Sequence, residues 1–530
     1  MRRALMRRPL ALAVATVSVV TTLAAVPGSA SAATGTLTVI TLGRDGAAVD
    51  TQFFVTSSTS HIPYLMSSGK AKIFPKGSYA IATDIHTEKD NTDTLAGVLV
   101  NVSGTTKVTI DARAGLPMKV ALSPAESSES LYFNAAVCIG DESVAPSAIA
   151  WSEPGRVFLI PNASKQFFLA TLLATRPEYQ QIPTPAPRYI AVTGTTGLPT
   201  NYTRTVARSG LTPVAVTLRT GPTNFLYYDL ILRPAGGCAE NLHEEVTSTW
   251  ATRQQVYLTP GSWAYHVESY DHDNFRNSPY DITRTYAAGK SYGQAFFTAA
   301  WGPGPDLPLV SDRTLHFFAG EMFTDPAFAG HQPRMSDYQM VITLKLGSKL
   351  LKTTRGNDYE DSSPSLFAYP LTASGWYSLS VDAHHTRPEI TYPSWMLSTR
   401  TTLSMRFHAD PTKNEVARLF SVAMSCGNLD MTNQATPGST TPVTLTLARE
   451  DQYVPAPGSK LVATTLKSLT AQASFDGGTT WHTLKVTGSG TKWTAQVPNP
   501  ASGAVTLRTT VTSTTGDSST TTIYRAYAIS

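Results

Sequence analysis

The chain has 530 residues, of which 42% are hydrophobic and 15% charged. This length exceeds a single core and predicts three or four domains, and the low charge argues against a disordered polyelectrolyte. The formal net charge of +4 comes from four arginines among the first ten residues. Without them the chain is formally neutral, which argues against a nucleic-acid partner.

Residues 1–32 have the pattern of a secretion signal. Arginines precede an apolar stretch from Leu10 to Ala25, and Ala30-Ser31-Ala32 supplies small residues for cleavage after Ala32. Threonines and a serine interrupt the apolar stretch, which is shorter than the roughly 20 residues that a membrane span needs. The pattern therefore favours export over a membrane anchor, and we expect an extracellular protein, free or associated with the cell wall.

Residues 33–115 predict a small β-sandwich. Thr36–Leu42 alternates with period two and is followed by the turn sequence Gly43-Arg44-Asp45-Gly46. The run Gly69–Tyr79 then places a Pro and a Gly before a tyrosine that re-enters the sheet. This order resembles the transthyretin-like fold of carboxypeptidase regulatory domains, and the resemblance implies a non-catalytic attachment.

The rest of the chain continues in the same style, with 36 glycines and 35 prolines favouring short strands and turns. Val256–Tyr265 repeats the order of Ile73–Ala80: an apolar strand, a Pro-Gly turn, Ser, an aromatic residue and Ala. Gly302–Pro305 and the Thr- and Pro-rich segment Thr432–Pro442 predict boundaries. We therefore expect β-sandwich units at 116–302, 303–435 and 436–530, the last one immunoglobulin-like.

Ser474, Asp476, Gly478 and Trp481 form the pattern Ser-x-Asp-x-Gly-x-x-Trp. An acidic residue and glycines predict a tight turn between strands, and the Trp predicts an anchor for the returning strand. Sialidases carry several such boxes together with separate arginines. A single copy favours a structural turn.

The C-terminal half resembles the non-catalytic accessory region of large secreted subtilisin-like (S8) serine proteases of actinobacteria. The segments that carry the resemblance are Leu307–Val310, Ala373–Leu379, Ser474–Trp481, Leu507–Thr512 and Tyr524–Tyr527. The subtilisin Asp, His-Gly-Thr and Gly-Thr-Ser motifs are absent from the sequence, so no triad residue can be assigned. This resemblance implies immunoglobulin- or fibronectin-III-like β-sandwich domains without the catalytic domain. Together with the transthyretin-like domain expected at 33–115, the expected fold class is all-β, with tandem β-sandwich domains.

Three cysteines remain in an exported chain, which permits disulfides. Cys138 and Cys238 flank one predicted unit and are the preferred pair, leaving Cys426 unpaired. The alternative is that all three are reduced and buried.

One acidic cluster is a weak metal candidate. Asp271, His272 and Asp273 are adjacent, and Asp271 and Asp273 with backbone oxygens are calcium candidates. A solvated loop is the favoured alternative, because no second His–Asp cluster supplies further ligands. The acidic segments Glu88–Asp93 and Asp358–Asp361 have the same two interpretations. No other cofactor is expected.

Aromatic residues give the remaining hint of function. Trp376, Tyr377, Tyr392, Trp395 and the set Tyr257, Trp263 and Tyr265 predict either core positions or a stacking face for sugars or peptides. The favoured function is a secreted, non-catalytic binding or scaffold protein that contacts extracellular polysaccharide, cell wall or protein. The alternatives are a secreted hydrolase with an unrecognised carboxylate site, and a regulator of a subtilisin-like protease.

Overall fold

The computed structural model describes residues 33–57, 63–125, 130–142, 147–176, 187–223, 227–248, 251–270, 280–328, 338–357, 366–386, 391–449 and 460–530. The secretion signal predicted at 1–32 lies outside these ranges. The predicted all-β class with tandem β-sandwich layers is confirmed, because the helices of the described ranges are 3-10 turns of three or four residues. Within those ranges there is no helix of the length and hydropathy that a bilayer span requires.

The strands are numbered in chain order. The amino-terminal strands are β1 Thr34–Leu42, β2 Gln52–Ser57, β3 Pro63–Ser67, β4 Ala71–Pro75, β5 Gly77–Thr87, β6 Thr92–Val102, β7 Thr105–Asp111, β8 Leu116–Ser123, β9 Ser130–Ile139, β10 Ser147–Ser152, β11 Val157–Ile160, β12 Phe167–Arg176, β13 Arg188–Thr196, β14 Tyr202–Ala207, β15 Thr212–Leu218, β16 Tyr227–Pro234, β17 Glu244–Ser248, β18 Thr252–Leu258, β19 Gly261–Tyr270, β20 Tyr280–Tyr286 and β21 Tyr292–Phe296. The remaining strands are β22 Leu309–Ser311, β23 Thr314–Phe318, β24 Tyr338–Leu346, β25 Lys349–Asn357, β26 Leu366–Pro370, β27 Gly375–His385, β28 Arg400–Ala409, β29 Glu415–Val416, β30 Ser421–Cys426, β31 Gln434–Ala435, β32 Thr440–Ala448, β33 Leu466–Ser474, β34 His482–Thr483, β35 Val486–Ser489, β36 Lys492–Pro498, β37 Gly503–Ser513 and β38 Ser518–Ile529.

The amino-terminal strands form a stack of four sheets. Their strand orders are β4-β1-β7 in sheet 1, β14-β8-β11-β6-β5-β2-β3 in sheet 2, β10-β9-β12-β13-β18-β15-β21 in sheet 3 and β17-β16-β19-β20 in sheet 4. The central strands of sheet 2 are buried on both faces. On β5, Tyr79 and Ile81 belong to the core against sheet 1, whereas Ala80 and Ala82 belong to the core against sheet 3.

Strands β9 and β12 of sheet 3 are also buried on both faces. On β9, Ala135 and Val137 pack toward sheet 2, whereas Ala136 and Cys138 pack toward sheet 4. A strand that is buried on both faces needs apolar residues at consecutive positions. This explains the almost continuous apolar sequence of β12, FFLATLLATR.

The carboxy-terminal strands form three sheets around two cores. Sheet 5 has the order β26-β23-β22-β29, sheet 6 has the order β25-β24-β27-β28-β38-β37-β33-β34 with β31 beside β38, and sheet 7 has the order β30-β32-β36-β35. Sheet 6 contributes to both cores. Leu379 and Met405 pack in one core with Phe317 of sheet 5, while Leu507 and Val511 pack in the other core with the apolar residues of sheet 7.

Side chains from three loops hold the segment that joins the two halves of the molecule. The amide of Thr298 donates to Asp325 Oδ2 at 2.9 Å, and the amide of Trp301 donates to Ser398 Oγ at 3.0 Å. Asn433 accepts from the amide of Ala299 at 3.1 Å and donates to the carbonyl of Phe297 at 3.0 Å. The buried amides of Thr298, Ala299 and Trp301 therefore each have a hydrogen-bond acceptor in the carboxy-terminal half.

Cys138 and Cys238, the preferred pair, form a disulfide with a Cα–Cα distance of 5.7 Å. The bond links β9 of sheet 3 to the 3-10 turn Cys238–Asn241 that follows β16 of sheet 4. Cys426 is a buried free thiol, and burial raises its pKa far above the ordinary value. The disulfide closes a loop with a sequence separation of 100, for which the chain-entropy model gives a stabilisation of about 4–5 kcal/mol.

Strand pairing continues across two of the predicted unit boundaries. β8 and β11 lie in sheet 2 with β5 and β6, across residue 115, and β33, β37 and β38 lie in sheet 6 with β28, across residue 435. Neighbouring units therefore share sheets. It stays a prediction that 33–115, 116–302, 303–435 and 436–530 are separate domains.

Sheets 2 and 3 pack so closely at Gly97 that no side chain fits there. A Cβ added to Gly97 on β6 would lie 2.6 Å from the ring of Phe167 on β12, and Phe167 is fully buried. We expect Gly97→Ala to destabilise the chain by about 1–3 kcal/mol, as overpacking does, measured by urea denaturation.

Gly104→Ala is the matched control, because an added Cβ at Gly104 meets no atom within 4 Å. Its free energy of unfolding is expected to stay within about 0.5 kcal/mol of the parent. Equal stability of the two variants would contradict the close packing of sheets 2 and 3.

Candidate binding face

Five strands of sheet 6 build a polar surface on the side of the sheet that faces away from the cores. Alternation along β27, β28, β33, β37 and β38 sends odd-numbered residues into the cores and even-numbered residues outward. The outward positions are the even-numbered residues of 376–384, 400–408, 468–472, 508–512 and 518–524, and all of them except the buried Thr522 are at least partly exposed. More than half of them are serine or threonine, so we call this surface the hydroxyl face.

One hydroxyl residue from each of the five strands lies in a single row across the hydroxyl face. Strand register pairs Ser380 with Ser404, Ser404 with Thr520, Thr520 with Thr510, and Thr510 with Thr470. The Thr510 and Thr520 hydroxyl oxygens are 3.0 Å apart and share a hydrogen bond. With neighbouring strands about 4.8 Å apart, the row is about 19 Å long.

Three arginine–aromatic pairs surround this row. The guanidinium carbon lies 3.8 Å from the ring centroid for Arg508 over Trp481, and 4.0 Å for Arg406 over Trp376. For the third pair, Arg400 over Tyr524, the distance is 4.9 Å. Each ring covers one side of a planar cation, which restricts its rotation and keeps it on the surface.

The predicted Ser474–Trp481 turn borders the hydroxyl face. Asp476 Oδ2 accepts from the Thr480 hydroxyl at 2.6 Å, and its Oδ1 accepts from the Thr480 and Thr479 amides at 2.9 and 3.0 Å. The Ser474 hydroxyl donates to Asp476 Oδ1 at 2.7 Å and accepts from the Gly478 amide at 2.8 Å. These hydrogen bonds, led by the Thr480 side chain, hold the pKa of the Asp476 carboxyl well below its usual range.

Gly478 is required by the shape of this turn. It has φ +95°, and a Cβ there would lie 3.2 Å from the ring of Tyr524. Its carbonyl accepts from Trp481 Nε1 at 2.9 Å. The turn therefore fixes Trp481 beneath Arg508, and the motif residues position one of the three arginine–aromatic pairs.

The predicted stacking aromatics divide between core and surface. Tyr377, Trp263 and Tyr265 are buried, whereas Trp376 lies on the hydroxyl face and Trp395 is half exposed. The partly buried aromatics contact other rings of the protein: Tyr257 stacks on Tyr189 with ring centroids 4.8 Å apart, and Tyr392 lies beside His385 at 5.9 Å with the two rings tilted.

The calcium candidates Asp271 and Asp273, with His272, lie outside the described residues, as does the Asp358–Asp361 segment. The described residues contain no group of three or more His, Cys, Asp or Glu side chains arranged to hold a metal ion.

Sequence reasoning missed a titratable cluster on the β5–β6 hairpin, between sheets 2 and 3. His86 pairs with Asp93 across the strands, with Nδ1 and Oδ1 2.6 Å apart. Asp84 lies on the same face one alternation away, and its buried Oδ1 has no hydrogen-bond partner in the described part of the chain. Burial, and then the charge of Asp93, raise the pKa of Asp84 well above its ordinary value.

The sequence did contain a signal for this cluster. Asp84 and His86 are two residues apart, which places them on one face of a strand, and Asp93 lies on the next strand. The signal for the hydroxyl face was weaker. Ser and Thr at alternate positions of five segments become one surface only when the strand order is known.

No family model and no curated protein matches the chain. Among solved structures, the Bacillus anthracis TIE protein aligns with 50% of this chain and 50% of its own, at 9% identity and a TM-score of 0.13. The Bacillus cereus major pilin subunit BcpA aligns with 50% of this chain and 99% of its own, at 8% identity and a TM-score of 0.12. Sidekick-1 immunoglobulin domains 1–5 align with 94% of this chain and 95% of their own, at 10% identity and a TM-score of 0.11. Similarities this weak do not indicate a function for this chain.

Because its pKa is raised, we expect Asp84 to make the folded chain less stable as the pH rises. Its pKa is higher in the folded than in the unfolded chain, so its ionised form opposes folding, and this cost disappears as the pH falls to the unfolded pKa. We expect Asp84→Asn to raise the thermal midpoint at pH 8 and to have progressively less effect toward pH 4, measured by calorimetry.

Asp111→Asn is the control of opposite sign, because hydrogen bonds from Arg113 lower the pKa of Asp111. Its substitution is expected to lower the midpoint at pH 8. A midpoint for Asp84→Asn below that of the parent at pH 8 would contradict the account of Asp84.

Proposed function

We propose that this chain is a secreted, non-catalytic binding protein that holds an extended extracellular polymer on the hydroxyl face. The observation that carries the proposal is the row of hydroxyl residues across five paired strands, exposed on a sheet whose other face is buried in two cores. The resemblance of the C-terminal half of the chain to the accessory regions of secreted subtilisin-like proteases supports the same role.

A hydroxyl-bearing polymer fits the hydroxyl face better than a folded protein does. Each serine or threonine hydroxyl can donate one hydrogen bond and accept two, which matches the groups of a polysaccharide. The centre of a protein interface is normally apolar and aromatic. Here the centre is Ser404, Thr520 and Thr510, while the aromatic rings lie at the margins with arginines over them.

The rigidity of sheet 6 reduces the cost of binding. Its strands are paired over long registers, seven residue pairs between β28 and β38 and ten between β27 and β28. A preformed surface does not lose backbone entropy when the ligand binds. The polymer loses its own freedom instead, so we expect affinity to rise with polymer length until the row is filled.

Retention of the full chain on insoluble cell-wall polysaccharide, chitin and immobilised casein tests the proposal. The test variant is Thr510→Val with Thr520→Val, which preserves side-chain shape and removes two hydroxyls from the row. Because a neutral hydrogen bond contributes about 0.5–1.5 kcal/mol, we expect retention on a polysaccharide to weaken roughly tenfold.

The matched control is Thr444→Val with Thr494→Val, a cross-strand pair on the outward side of sheet 7. It is expected to bind like the parent protein. Retention on casein alone or equal losses for the two double variants would contradict the proposed function, as would failure to bind any polysaccharide or other hydroxyl-bearing polymer.

A further inference from the structure

The hydroxyl face carries more positive than negative formal charges. Its outward positions carry three arginines and one aspartate. Asp382 is bound to Arg400 through two hydrogen bonds, of 2.8 Å from Nε and 2.6 Å from Nη2. Arg406 and Arg508 have no carboxylate partner in the described part of the chain, so the face keeps two unneutralised cations.

Arg508 is held in place by an uncharged group. Its Nε and Nη2 donate to Gln472 Oε1 at 3.0 and 2.7 Å, and the Trp481 ring lies on one side at 3.8 Å. An amide oxygen fixes the orientation of the guanidinium and leaves its full charge. The Nη1 amino group has no hydrogen-bond partner among the described residues and is available to a ligand.

Arg406 is arranged in a similar way at the opposite end of the hydroxyl face. Its guanidinium lies over Trp376 at 4.0 Å, and Nη1 donates to the carbonyl of Gly516 at 3.5 Å. The neighbouring partners of Arg406 are again an aromatic ring and a neutral carbonyl. Both cations are therefore oriented by groups that leave the charge intact.

The strand register fixes the distance between the two cations. Arg406 pairs with Ser518 on β38, and Arg508 pairs with Thr522 of the same strand. Two strand spacings and a shift of four residues separate their Cα atoms by about 16 Å. Thr510 and Thr520 of the hydroxyl row lie between them. No single compact anion reaches both cations, whereas a polymer with repeated anionic groups does.

Resting on the proposed function, we infer that the ligand of the hydroxyl face is a hydroxyl-rich polyanion: a polymer of sugar or polyol units that carries carboxylate or phosphodiester groups. Guanidinium groups bind carboxylate and phosphate oxygens through paired, charge-assisted hydrogen bonds. The hydroxyl row binds the neutral part of the same polymer. A single-stranded nucleic acid would need open aromatic faces for its bases, and the rings at this surface already carry guanidinium groups.

The experiment measures binding of the full chain to polygalacturonate, to a glycerol-phosphate polymer and to neutral dextran, across a series of salt concentrations. We expect one or both polyanions to bind more tightly than dextran, with an affinity that falls as salt rises. Tighter binding of polygalacturonate identifies carboxylate as the anion, and tighter binding of the glycerol-phosphate polymer identifies phosphodiester.

The variants are Arg406→Gln and Arg508→Gln, with Arg204→Gln as the matched control. Arg204 is exposed and lies over the Tyr202 ring at 4.9 Å on β14, away from the hydroxyl face. All three variants remove one charge and one ring contact. We expect each of the first two to weaken polyanion binding about three- to tenfold and to make the salt dependence shallower, and the control to bind like the parent.

Three results separate the failure of this inference from the failure of the proposed function. Dextran bound as tightly as the polyanions and without salt dependence overturns the polyanion and leaves polymer binding intact. Equal effects of Arg508→Gln, Arg406→Gln and Arg204→Gln, in variants with parental thermal midpoints, also overturn it. Failure to bind any of the three polymers or the insoluble polysaccharides contradicts the proposed function itself.

Discussion

The segment from Phe297 to Trp301 is the constraint on which the arrangement of the two halves depends. It follows the last strand of the four-sheet stack, and its amides are bound by Asp325, Ser398 and Asn433 from three loops of the carboxy-terminal half. Phe297, with φ 61°, is in a region that a bulky residue seldom adopts. Its carbonyl is held by Asn433, so the loops determine the conformation of the connection.

Apolar packing reinforces the same junction. Phe297 and Trp301 are buried in a core that continues from sheets 3 and 4 into sheets 5 and 6. Arg219, at the end of β15, donates to the carbonyls of Leu429 and Asp430 in the loop that also carries Asn433. Sheet 6 is thereby fixed to the stack by its buried face, which leaves the hydroxyl face as its solvent side. The Ser474–Trp481 turn then adds Trp481 to the edge of that face.

Local sequence patterns predicted the strand-rich class and the Ser474–Trp481 turn, because both depend on residues close in sequence. The sharing of sheets could not be predicted in this way. β11 lies between β6 and β8 although more than 30 residues separate it from either, and β38 pairs with β28 across the predicted 435 boundary. Such pairings depend on long-range packing, and a period-two pattern does not identify the partner of a strand.

The same limit applies to the function. Alternating Ser and Thr in one strand indicate only that a face is exposed, and the hydroxyl row requires five strands from three distant parts of the chain. Gln472 and Arg508, which are 36 residues apart, meet because β33 pairs with β37. Asp271 and Asp273, which stood out as an acidic cluster, remain predictions. The residues that carry the proposed function are ordinary in sequence and distinctive only in their arrangement.

Hydroxyl-radical footprinting of the full chain, with and without a saturating polymer, tests the central claim most directly. The claim is that ligand contacts lie on the hydroxyl face. We predict reduced labelling of Trp376, Trp481 and Tyr524 around that face, and unchanged labelling of Trp151, which is exposed on β10 of sheet 3. Protection of Trp151 with no change at the first three residues would contradict the account.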